Sequence, residues 1–386
     1  MKKTAFYISL FLLLFTLAGC SSTANTSEIL YDMDHLVDIQ KSGLIKDVSL
    51  ISLQDTSVYI GDISKIEALD TLICILDKNR KSIYIFSDNG KYISTISGQG
   101  HGAGEYLEIT DFFADSEKKT VSVLSRLNKK LYIYDIKGNG IQVINLPKTF
   151  NGIAKYADGF IGYMANYSED RSQPHNYWIM DGNGKVVSHF GTIKSCIESR
   201  TNESFRPFSS HKGDLSISAE YERGIMTLSD GSDDAQTAYM LDFGKYNWPE
   251  IPDKDYKNDE KMFGLVNTHI SNPKQFQETD GYLLSLVHVN GQPIIAAYDK
   301  ESGKGKALSL ANYIDDCLLG FGKPINFSEN EIFATLDASI MHDVWKGGNE
   351  YNDFEKDRPT QVKNLRKRFK NIDEDGNPFL VRYRIR

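Results

Sequence analysis

Histidine is the first residue type to examine for chemistry, because imidazole is a common metal ligand and a general base near neutral pH. Eight histidines are spread along the chain, at positions 35, 101, 175, 189, 211, 269, 288 and 342. None belongs to an HExxH motif or another compact ligand spacing, so the sequence gives no signal of a zinc protease. It also lacks the GxSxG motif of a serine nucleophile. Sequence motifs therefore do not decide whether the protein is an enzyme.

Residues 98–106 form a glycine-rich loop, Gly-Gln-Gly-His-Gly-Ala-Gly-Glu-Tyr. A phosphate cradle requires such a loop to run from a strand into a helix. This one joins one alternating, strand-like stretch to the next, so we interpret it as a connection between repeat units. His101, Glu105 and Tyr106 remain candidates for residues that line one face of the fold.

The first twenty residues carry a secretion signal. Lys2 and Lys3 precede an apolar stretch at 5–17 that is shorter than the ~20 residues of a membrane span. The last four residues, Leu-Ala-Gly-Cys, resemble the lipobox of bacterial lipoproteins. The resemblance implies a signal peptide at 1–19, lipidation of Cys20 and a tether at 20–28. Related lipoproteins of the outer face often carry an acidic cluster after this cysteine. Only Glu28 appears here, which favours a periplasm-facing position.

Three further cysteines, Cys74, Cys196 and Cys317, are spaced too widely for a CxxC pair or a zinc knuckle. Cys74 lies in an apolar run, which is typical of a buried small side chain. We interpret all three as structural, and the sequence leaves open whether any two of them pair.

Composition indicates a globular body, with 40% hydrophobic and 25% charged residues. Removal of residues 1–19 takes away two lysines and moves the formal charge from −8 to about −10. Because a net acidic surface repels phosphate backbones, nucleic acid is not an expected partner. The expected membrane contact is the acyl chains at Cys20.

A repeated hairpin organises the rest of the chain. Each copy has an alternating apolar stretch, a turn and a second strand, with turn glycines at positions 90, 138, 184, 244 and 303. A period of ~40–50 residues with four short strands is the signature of β-propeller blades. With residues 318–386 as a sixth unit, the sequence predicts an all-β, six-bladed propeller that occupies 29–386 as one domain. The alternative is a two-sheet sandwich or two unrelated β domains.

The last repeat unit lacks a strand. Residues 330–336 and 378–386 supply its second and third strands, and then the chain stops. Near the other end, 47–53 is a strand that belongs to no complete unit. We expect this N-terminal strand to complete the last blade and close the ring, which removes an exposed sheet edge.

The 98–106 loop and the Asp-Asn-Gly-Lys hairpin before it resemble the GxGPGEY-type loop of six-bladed β-propeller lipoproteins from bacteroidete-type bacteria. Ala103 stands where that loop usually has proline. The strand at 48–53, the Tyr-Ile-Gly at 59–61 and the closing strand at 377–381 extend the resemblance over most of the mature chain. The resemblance implies a cell-envelope propeller and supplies no catalytic residues.

A ring fold brings residues that are distant in sequence together at its axis. Candidates on the expected innermost strands are Glu67, Asp111, Lys155, Arg206, His269 and Asn326. Some six-bladed propellers that resemble lactonases hold a metal there with Glu, Asn and Asp side chains. Solvated channel-lining residues are the commoner case. We therefore predict no cofactor and keep a divalent cation as the alternative.

Residues 355–370 break the β pattern. Val362, Leu365 and Phe369 form a narrow apolar stripe surrounded by lysines and arginines, which predicts one amphipathic helix inserted in the last blade. A basic helix of this kind suits anionic lipid or an acidic partner. The favoured interpretation is a helix packed on the propeller with a solvated basic face.

Two functions follow as hypotheses. The first is a lipid-anchored envelope module that binds a ligand or protein, with a glycan or an envelope protein as partner. The second is an enzyme that acts on a carbohydrate or lactone at the axis, with or without a metal. Three or more converging carboxylate, Asn or His side chains at the axis would favour the enzyme. An axis of apolar or unpaired polar residues, with aromatics exposed on one face, would favour binding.

Overall fold

The computed structural model shows six β-sheets arranged in a ring, which confirms the predicted six-bladed propeller. It describes residues 26–53, 57–100, 102, 104–170, 172–198, 200, 205–310, 323–347 and 352–386. Short strands with apolar side chains on both faces let each sheet pack between its two neighbours. The ring is closed, because the innermost strand of the last sheet contacts that of the first.

Three strands precede the first complete blade: β1 (Ser27–Leu30), β2 (Val37–Asp38) and β3 (Ile45–Ser52). Blade 1 contains β4 (Lys65–Leu69), β5 (Leu72–Asp77), β6 (Ser82–Ser87) and β7 (Tyr92–Ile96). Blade 2 contains β8 (Asp111–Asp115), β9 (Thr120–Ser125), β10 (Lys130–Asp135) and β11 (Gly140–Asn145). Blade 3 contains β12 (Gly152–Tyr156), β13 (Gly159–Tyr163), β14 (His175–Met180) and β15 (Val186–Thr192).

Blade 4 contains β16 (Phe208–His211), β17 (Asp214–Ser218), β18 (Gly224–Leu228) and β19 (Gln236–Asp242). Blade 5 contains β20 (Gln275–Glu278), β21 (Tyr282–Val289), β22 (Gln292–Asp299) and β23 (Lys304–Ser309). Blade 6 contains β24 (Lys323–Ser328), β25 (Glu331–Leu336) and β26 (Phe379–Ile385). The first strand of each blade is innermost. We call the side of the ring where these innermost strands begin the upper face, and the side where they end the lower face.

β3 completes blade 6 as its outermost strand, as the sequence predicts. It runs antiparallel to β26, with Ile51 opposite Leu380. Ile51 is buried against apolar side chains of blade 1 and blade 6, including Ile66 and Phe333. The neighbouring Leu50 faces the other way, into the core shared by blades 5 and 6. This one strand therefore joins the last blade to the first.

The segment before β3 wraps around the outside of the ring, and we call residues 27–38 the N-terminal strap. β1 pairs in parallel with β19 of blade 4, and β2 pairs in parallel with β23 of blade 5. Tyr31 stacks on Phe243 with ring centroids 5.3 Å apart. Ser27 and Glu28, the end of the predicted tether, therefore lie within a strand. These pairings are too short to leave a periodic signal in the sequence.

The turn glycines of blades 1 to 3 mark contacts between blades. Gly90, Gly138 and Gly184 have φ of +87°, +84° and +85°, which favours glycine. A Cβ at Gly138 would lie 2.6 Å from the carbonyl oxygen of Thr95, on the outer strand of the preceding blade. The hairpin predicted at Gly244 is corrected, because residues 238–242 belong to the outer strand β19 and Gly244 follows that strand. The corresponding turn of blade 4 contains Gly231.

We expect Gly138→Ala to lower the free energy of unfolding by about 2–3 kcal/mol, the sum of left-handed backbone strain and the clash with Thr95. Gly303→Ala is the matched control, since Gly303 also has a positive φ of +67° but open space around it. That variant should cost about 1 kcal/mol. Denaturant unfolding of the two variants measures the difference, and equal losses would contradict the blade-contact explanation.

The described residues contain four α-helices. α1 (Asp259–Thr268), between blades 4 and 5, was not predicted. α2 (Ala338–Lys346), α3 (Asn352–Asp357) and α4 (Pro359–Arg368) lie between the second and third strands of blade 6. The helix predicted near the C-terminus is present, but it is split in two at Arg358, because the residue before a proline avoids the helical region. Within the described ranges, no helix has the length and apolar character needed to cross a membrane.

Candidate functional site

The innermost strands of all six blades line one cavity on the ring axis, with a volume of about 220 Å³. We call it the axial cavity. Five of the candidates named from sequence line it: Glu67, Asp111, Lys155, Arg206 and Asn326. They meet because each occupies an innermost strand or the residues just before one, on the side that faces the axis.

Lys65 organises the charges of the axial cavity. Its Nζ lies 2.8 Å from Glu67 Oε1 and 2.9 Å from Asp111 Oδ1. The same ammonium donates to the carbonyl oxygen of Phe112 at 2.5 Å. Lys65 and Asp111 are 8% and 6% exposed. One buried cation therefore serves two carboxylates on neighbouring blades.

Burial and charge act in opposite directions on this cluster. For Asp111, burial disfavours ionisation, but the charges of Lys65 and Arg206 outweigh it, so the pKa of Asp111 is lowered. Burial likewise disfavours the Lys65 ammonium, and the two carboxylates outweigh it and raise its pKa. For Glu67, burial prevails over the attraction of Lys65 and raises the pKa. Asp111 is thus the firmly ionised carboxylate of the two.

The cavity carboxylates also join one blade to the next. Glu67 Oε2 accepts the Ala114 N–H at 2.7 Å, and Asp111 Oδ2 accepts the Ile153 N–H at 2.9 Å. At three further junctions a neutral side chain accepts a backbone N–H of the next blade. The acceptor and donor residues are Ser209 and Glu278, Gln275 and Phe327, and Ser328 and Ala68. These bonds hold the innermost strands together around the ring.

Blades 3 and 4 are joined by tyrosines. Tyr177 donates to the Ser218 carbonyl at 2.8 Å, and Tyr156 donates to the Ser229 carbonyl at 2.6 Å. Tyr163 donates to Glu220 Oε2 at 2.9 Å, where Asn166 Nδ2 also donates. Burial raises the pKa of the Tyr163 hydroxyl far above its usual range, so it remains a donor at any physiological pH. Tyr163, Asn166 and Glu220 form a second buried polar site, which supports loops of the upper face.

We expect Tyr163→Phe to lower the free energy of unfolding by about 1–3 kcal/mol, because Glu220 is only 4% exposed and loses a donor. Tyr239→Phe is the matched control. It removes a 2.7 Å bond to Glu278, but that carboxylate keeps a charged donor, Lys300 at 2.8 Å, as well as Ser216. Asn166, which still donates to Glu220 in Tyr163→Phe, is neutral. The control should therefore lose less, which denaturant midpoints would show. A larger loss in Tyr239→Phe would refute the argument.

Other candidates lie away from the axis. His269 follows the last turn of α1, with its Nδ1 2.9 Å from Thr268 Oγ1, because the innermost strand of blade 5 begins later, at Gln275. Tyr106 is fully buried and accepts the Gly98 N–H at 2.9 Å. Glu105 is exposed and accepts the Gly102 N–H at 2.8 Å. The 98–106 loop thus connects β7 to β8.

Several predicted residues fall outside the described part of the chain, namely Cys20, His101 and Cys317. Cys74 is fully buried, and burial raises the pKa of its thiol to about 12. Cys196 is partly exposed, and both thiols are free. Neither has the lowered pKa that marks a reactive cysteine.

Part of the basic charge of α4 is used inside the protein. Val362 and Leu365 are buried, and Arg366 pairs with Glu355 through two nitrogens at 2.5 and 2.7 Å. Arg368 donates to the Leu50 carbonyl at 2.6 Å. Lysines 363, 367 and 370 are exposed. The helix therefore packs on blade 6 with a solvated basic face.

The described residues contain no group of three His, Cys, Asp or Glu side chains that could hold a metal. At the axis, Glu67 and Asp111 each use one oxygen on Lys65 and the other on a backbone N–H. Asn326 Nδ2 donates to the carbonyl of Phe327 at 2.8 Å. A cation would have to displace these contacts to gain its oxygen ligands.

Exposed apolar side chains are distributed unevenly over the two faces. On the upper face, loops and helices expose six large apolar residues: Tyr59, Leu127, Tyr167, Phe263, Val266 and Ile340. We call them the upper-face apolar set, of which Phe263 is the most exposed at 71%. The other exposed large apolar residues among those described lie on the strap or on outer strands. The turns of the lower face contribute none within the described ranges.

Sequence reasoning missed Lys65, the residue on which the cavity charges converge. The signal was present, because Lys65 and Glu67 are two positions apart in a strand and must share a face. It also missed the serines and glutamine that accept backbone N–H groups between blades. No sequence signal distinguishes these from solvated surface residues, since their role depends on the approach of the next blade.

Comparisons with known proteins agree with this architecture. The crystal structure of a "Putative exported protein" from Bacteroides fragilis NCTC 9343 superposes with a TM-score of 0.71 at 18% identity, covering 94% of this chain and 99% of that one. A member of the duf4221 family from Bacteroides vulgatus superposes with a TM-score of 0.50 at 9% identity, covering 89% and 97%. At these identities, the likeness shows the fold alone.

No curated protein matches the sequence. A family model does match, over residues 24–384, which include every blade. The chain therefore belongs to the family described as Domain of unknown function (DUF4934).

Proposed function

We propose that this protein is a lipid-anchored binding module of the cell envelope, which docks an envelope protein through the upper face of its propeller. The acyl chains at Cys20 would hold it to a membrane, facing the periplasm. The observation that carries the proposal is the upper-face apolar set. Exposed apolar side chains that are neighbours on a surface, as Phe263 and Val266 are on α1, are typical of interaction sites, because water contact with them is unfavourable until a partner covers them.

The upper face combines these apolar groups with preformed support. Phe263 and Val266 are one turn apart on α1, and the helix is fixed to blade 5 where Asn290 N donates to the Asn267 carbonyl at 2.6 Å. The Arg80 guanidinium lies over the ring of Tyr59, 4.6 Å from the ring centroid. Rigid aromatic anchors with nearby arginine are common among residues that dominate binding energy at interfaces.

The envelope setting is supported by the signal at residues 1–20 and by the exported protein that shares the fold. Cys20→Ser should abolish acyl labelling and move the protein out of the membrane fraction. Retention in the membrane without label would contradict anchoring by lipid at this residue.

Docking is tested with the full lipidated chain purified from envelopes in mild detergent. The variant Phe263→Asp/Val266→Asp should lose an envelope protein that the unaltered chain retains. Val143→Asp/Val187→Asp is the matched control, because these two exposed valines lie on outer strands. The control should keep the partner. If mass spectrometry finds the same proteins with all three chains, the upper face is not the docking surface.

The second candidate is an enzyme that acts on a carbohydrate or lactone at the axis. Glu67, Asp111 and Asn326 share the axial cavity, so the residue types expected for catalysis converge there. Against it, both carboxylates are already held by Lys65 and by backbone N–H groups. Turnover of a sugar or lactone substrate by the purified chain, abolished in Glu67→Gln, would favour this candidate over the binding module.

A further inference from the structure

The axial cavity is closed at the upper face. Arg206, just before the innermost strand of blade 4, donates from Nη2 to the carbonyl oxygen of Ser64 at 3.1 Å. Ser64 precedes the innermost strand of blade 1, which lies across the ring, so this side chain spans the axis. Lys65, Asp111 and Asn326 line the same cavity and are each less than 10% exposed.

The same cavity is open at the lower face. Its lining there includes Ser210 and Glu329, which are both exposed. The Lys155 side chain at this rim is 33% exposed. The axial cavity is therefore a cup with its floor at Arg206 and its mouth on the lower face, the opposite end of the ring from the upper-face apolar set.

The charges of the cup are largely paired within the protein. Lys65 is shared by Glu67 and Asp111 at the floor. Lys155 at the rim is 3.1 Å from Asp115 Oδ2 and 2.9 Å from Glu117 Oε2. An ionic ligand at the floor would have to break the buried Lys65 pairs, which is costly. The cup is thus better suited to a neutral ligand.

Neutral polar atoms in the cup do lack protein partners. Among the described residues, no hydrogen bond within the protein reaches Ser116 Oγ, Ser210 Oγ, Gln277 Oε1 or Asn326 Oδ1, although all four residues line the cavity. Phe113, Phe208 and Phe327 line it as well. The lining therefore combines hydroxyl and amide groups with phenylalanine side chains, which also pack in the cores between blades.

From this wall we infer that the cup binds one neutral, hydroxyl-rich ring, the terminal sugar of a glycan, which enters from the lower face. A pyranose presents hydroxyl groups that donate and accept around its edge, and C–H groups on its faces that suit phenylalanine rings. A purely apolar ligand would leave the wall oxygens unpaired, which is unfavourable. The 220 Å³ volume is smaller than a drug-sized pocket of ~300–1,000 Å³, so it takes a single ring.

The inference goes beyond the proposed docking function and concerns the other end of the ring, so the two can fail separately. Binding to the full chain in detergent is measured by saturation-transfer NMR and calorimetry. The neutral probes are glucose, galactose and N-acetylglucosamine, and the charged probes are phosphate and glycine. At least one neutral sugar should bind with 1:1 stoichiometry and more tightly than either charged probe.

Ser210→Trp should weaken that binding at least tenfold by filling the exposed mouth of the cup. Asn183→Trp is the matched control, because Asn183 is exposed in a turn of blade 3 and does not line the cup. Unchanged thermal unfolding of both variants would show that they fold. Phe263→Asp/Val266→Asp should bind sugar normally. Absence of binding by every sugar, equal affinity in Ser210→Trp, or tighter binding of phosphate or glycine would each overturn the inference.

Discussion

Replacing Lys65 by methionine is expected to lower the free energy of unfolding by about 3–5 kcal/mol at pH 7. The substitution keeps most of the side-chain volume and removes only the ammonium. Glu67 and Asp111 would then be left in the wall of the axial cavity without their shared cation. An unpaired charge in a buried site costs several kcal/mol, because the protein does not replace the water that the ion loses. Denaturant unfolding measures the loss.

Lys155→Met is the matched control for this prediction. Lys155 also lies between two carboxylates, but its side chain is 33% exposed and that of Glu117 is 84% exposed. The other carboxylate, Asp115, is buried, but it also accepts the backbone N–H groups of Glu117 and Lys118. Because water reaches the Lys155 ammonium and screens its pairs, the expected loss is about 1 kcal/mol or less. If the two lysine variants lose the same free energy of unfolding, burial of the Lys65 cluster does not make its ion pairs more important for stability.

The pH dependence gives a second check. In the unaltered protein the pKa of Asp111 is lowered, so its stabilising contribution is present above its ordinary pKa of 3.8 and is lost as pH falls through the lowered value. Without the Lys65 ammonium, burial would raise the pKa of both carboxyl groups. The variant would therefore gain stability as the pH falls and Glu67 and Asp111 take up protons. The deficit of Lys65→Met should therefore be largest near pH 7 and shrink toward about pH 4. A deficit that grows in acid would contradict this account.

The number of blades was predictable because the repeat has a local physical cause. Gly90, Gly138 and Gly184 need positive φ and also lie against the preceding blade, so two constraints fix one residue type in each unit. In blade 4 the turn was wrongly predicted at Gly244, because the outer strand β19 followed by this glycine has the same residue pattern as a hairpin. Its true turn residue, Gly231, has open space around it, so only one constraint acts there.

The axial candidates were predictable from the expected positions of the innermost strands, and the misplaced one shows where that prediction fails. Glu67 and Asp111 lie in β4 and β8, the innermost strands of blades 1 and 2. His269 was assigned to an innermost strand, but a 3-10 helix and α1 occupy the insertion before blade 5 and delay that strand to Gln275. The bounds of an insertion depend on how it packs on its neighbours, which one sequence does not reveal.

The sequence could not predict which charged residues pair in the cavity or which residue closes it, for a different reason. Arg206 reaches Ser64 across the axis, between residues 142 positions apart. Lys65 reaches Asp111 on the next blade. Both contacts depend on the radius of the ring and the tilt of the innermost strands. These are properties of the assembled sheets, and no short segment encodes them.

Ile51→Asp is expected to open the ring where β3 joins the last blade to the first, at a cost of about 5 kcal/mol. Ile51 is 3% exposed and lies among apolar side chains of blades 1 and 6, where a carboxylate would find no cation. Val143→Asp is the matched control, because Val143 lies on the outer strand of blade 2 and is 41% exposed. That variant should change stability by about 0.5 kcal/mol or less.

Hydrogen exchange would locate the effect of Ile51→Asp. β3 and β26 are joined by contacts such as Ser49 with Arg382, which are 333 positions apart, so the entropy of closing a very long loop opposes their pairing. When β3 detaches, the amides of β26 should exchange much faster, while those of blades 2 and 3 keep their protection. Uniformly faster exchange in all blades would mean that the ring unfolds as one unit. In that case the detachment of β3 would not be a separate local opening, and ring opening and blade unfolding would occur in one step.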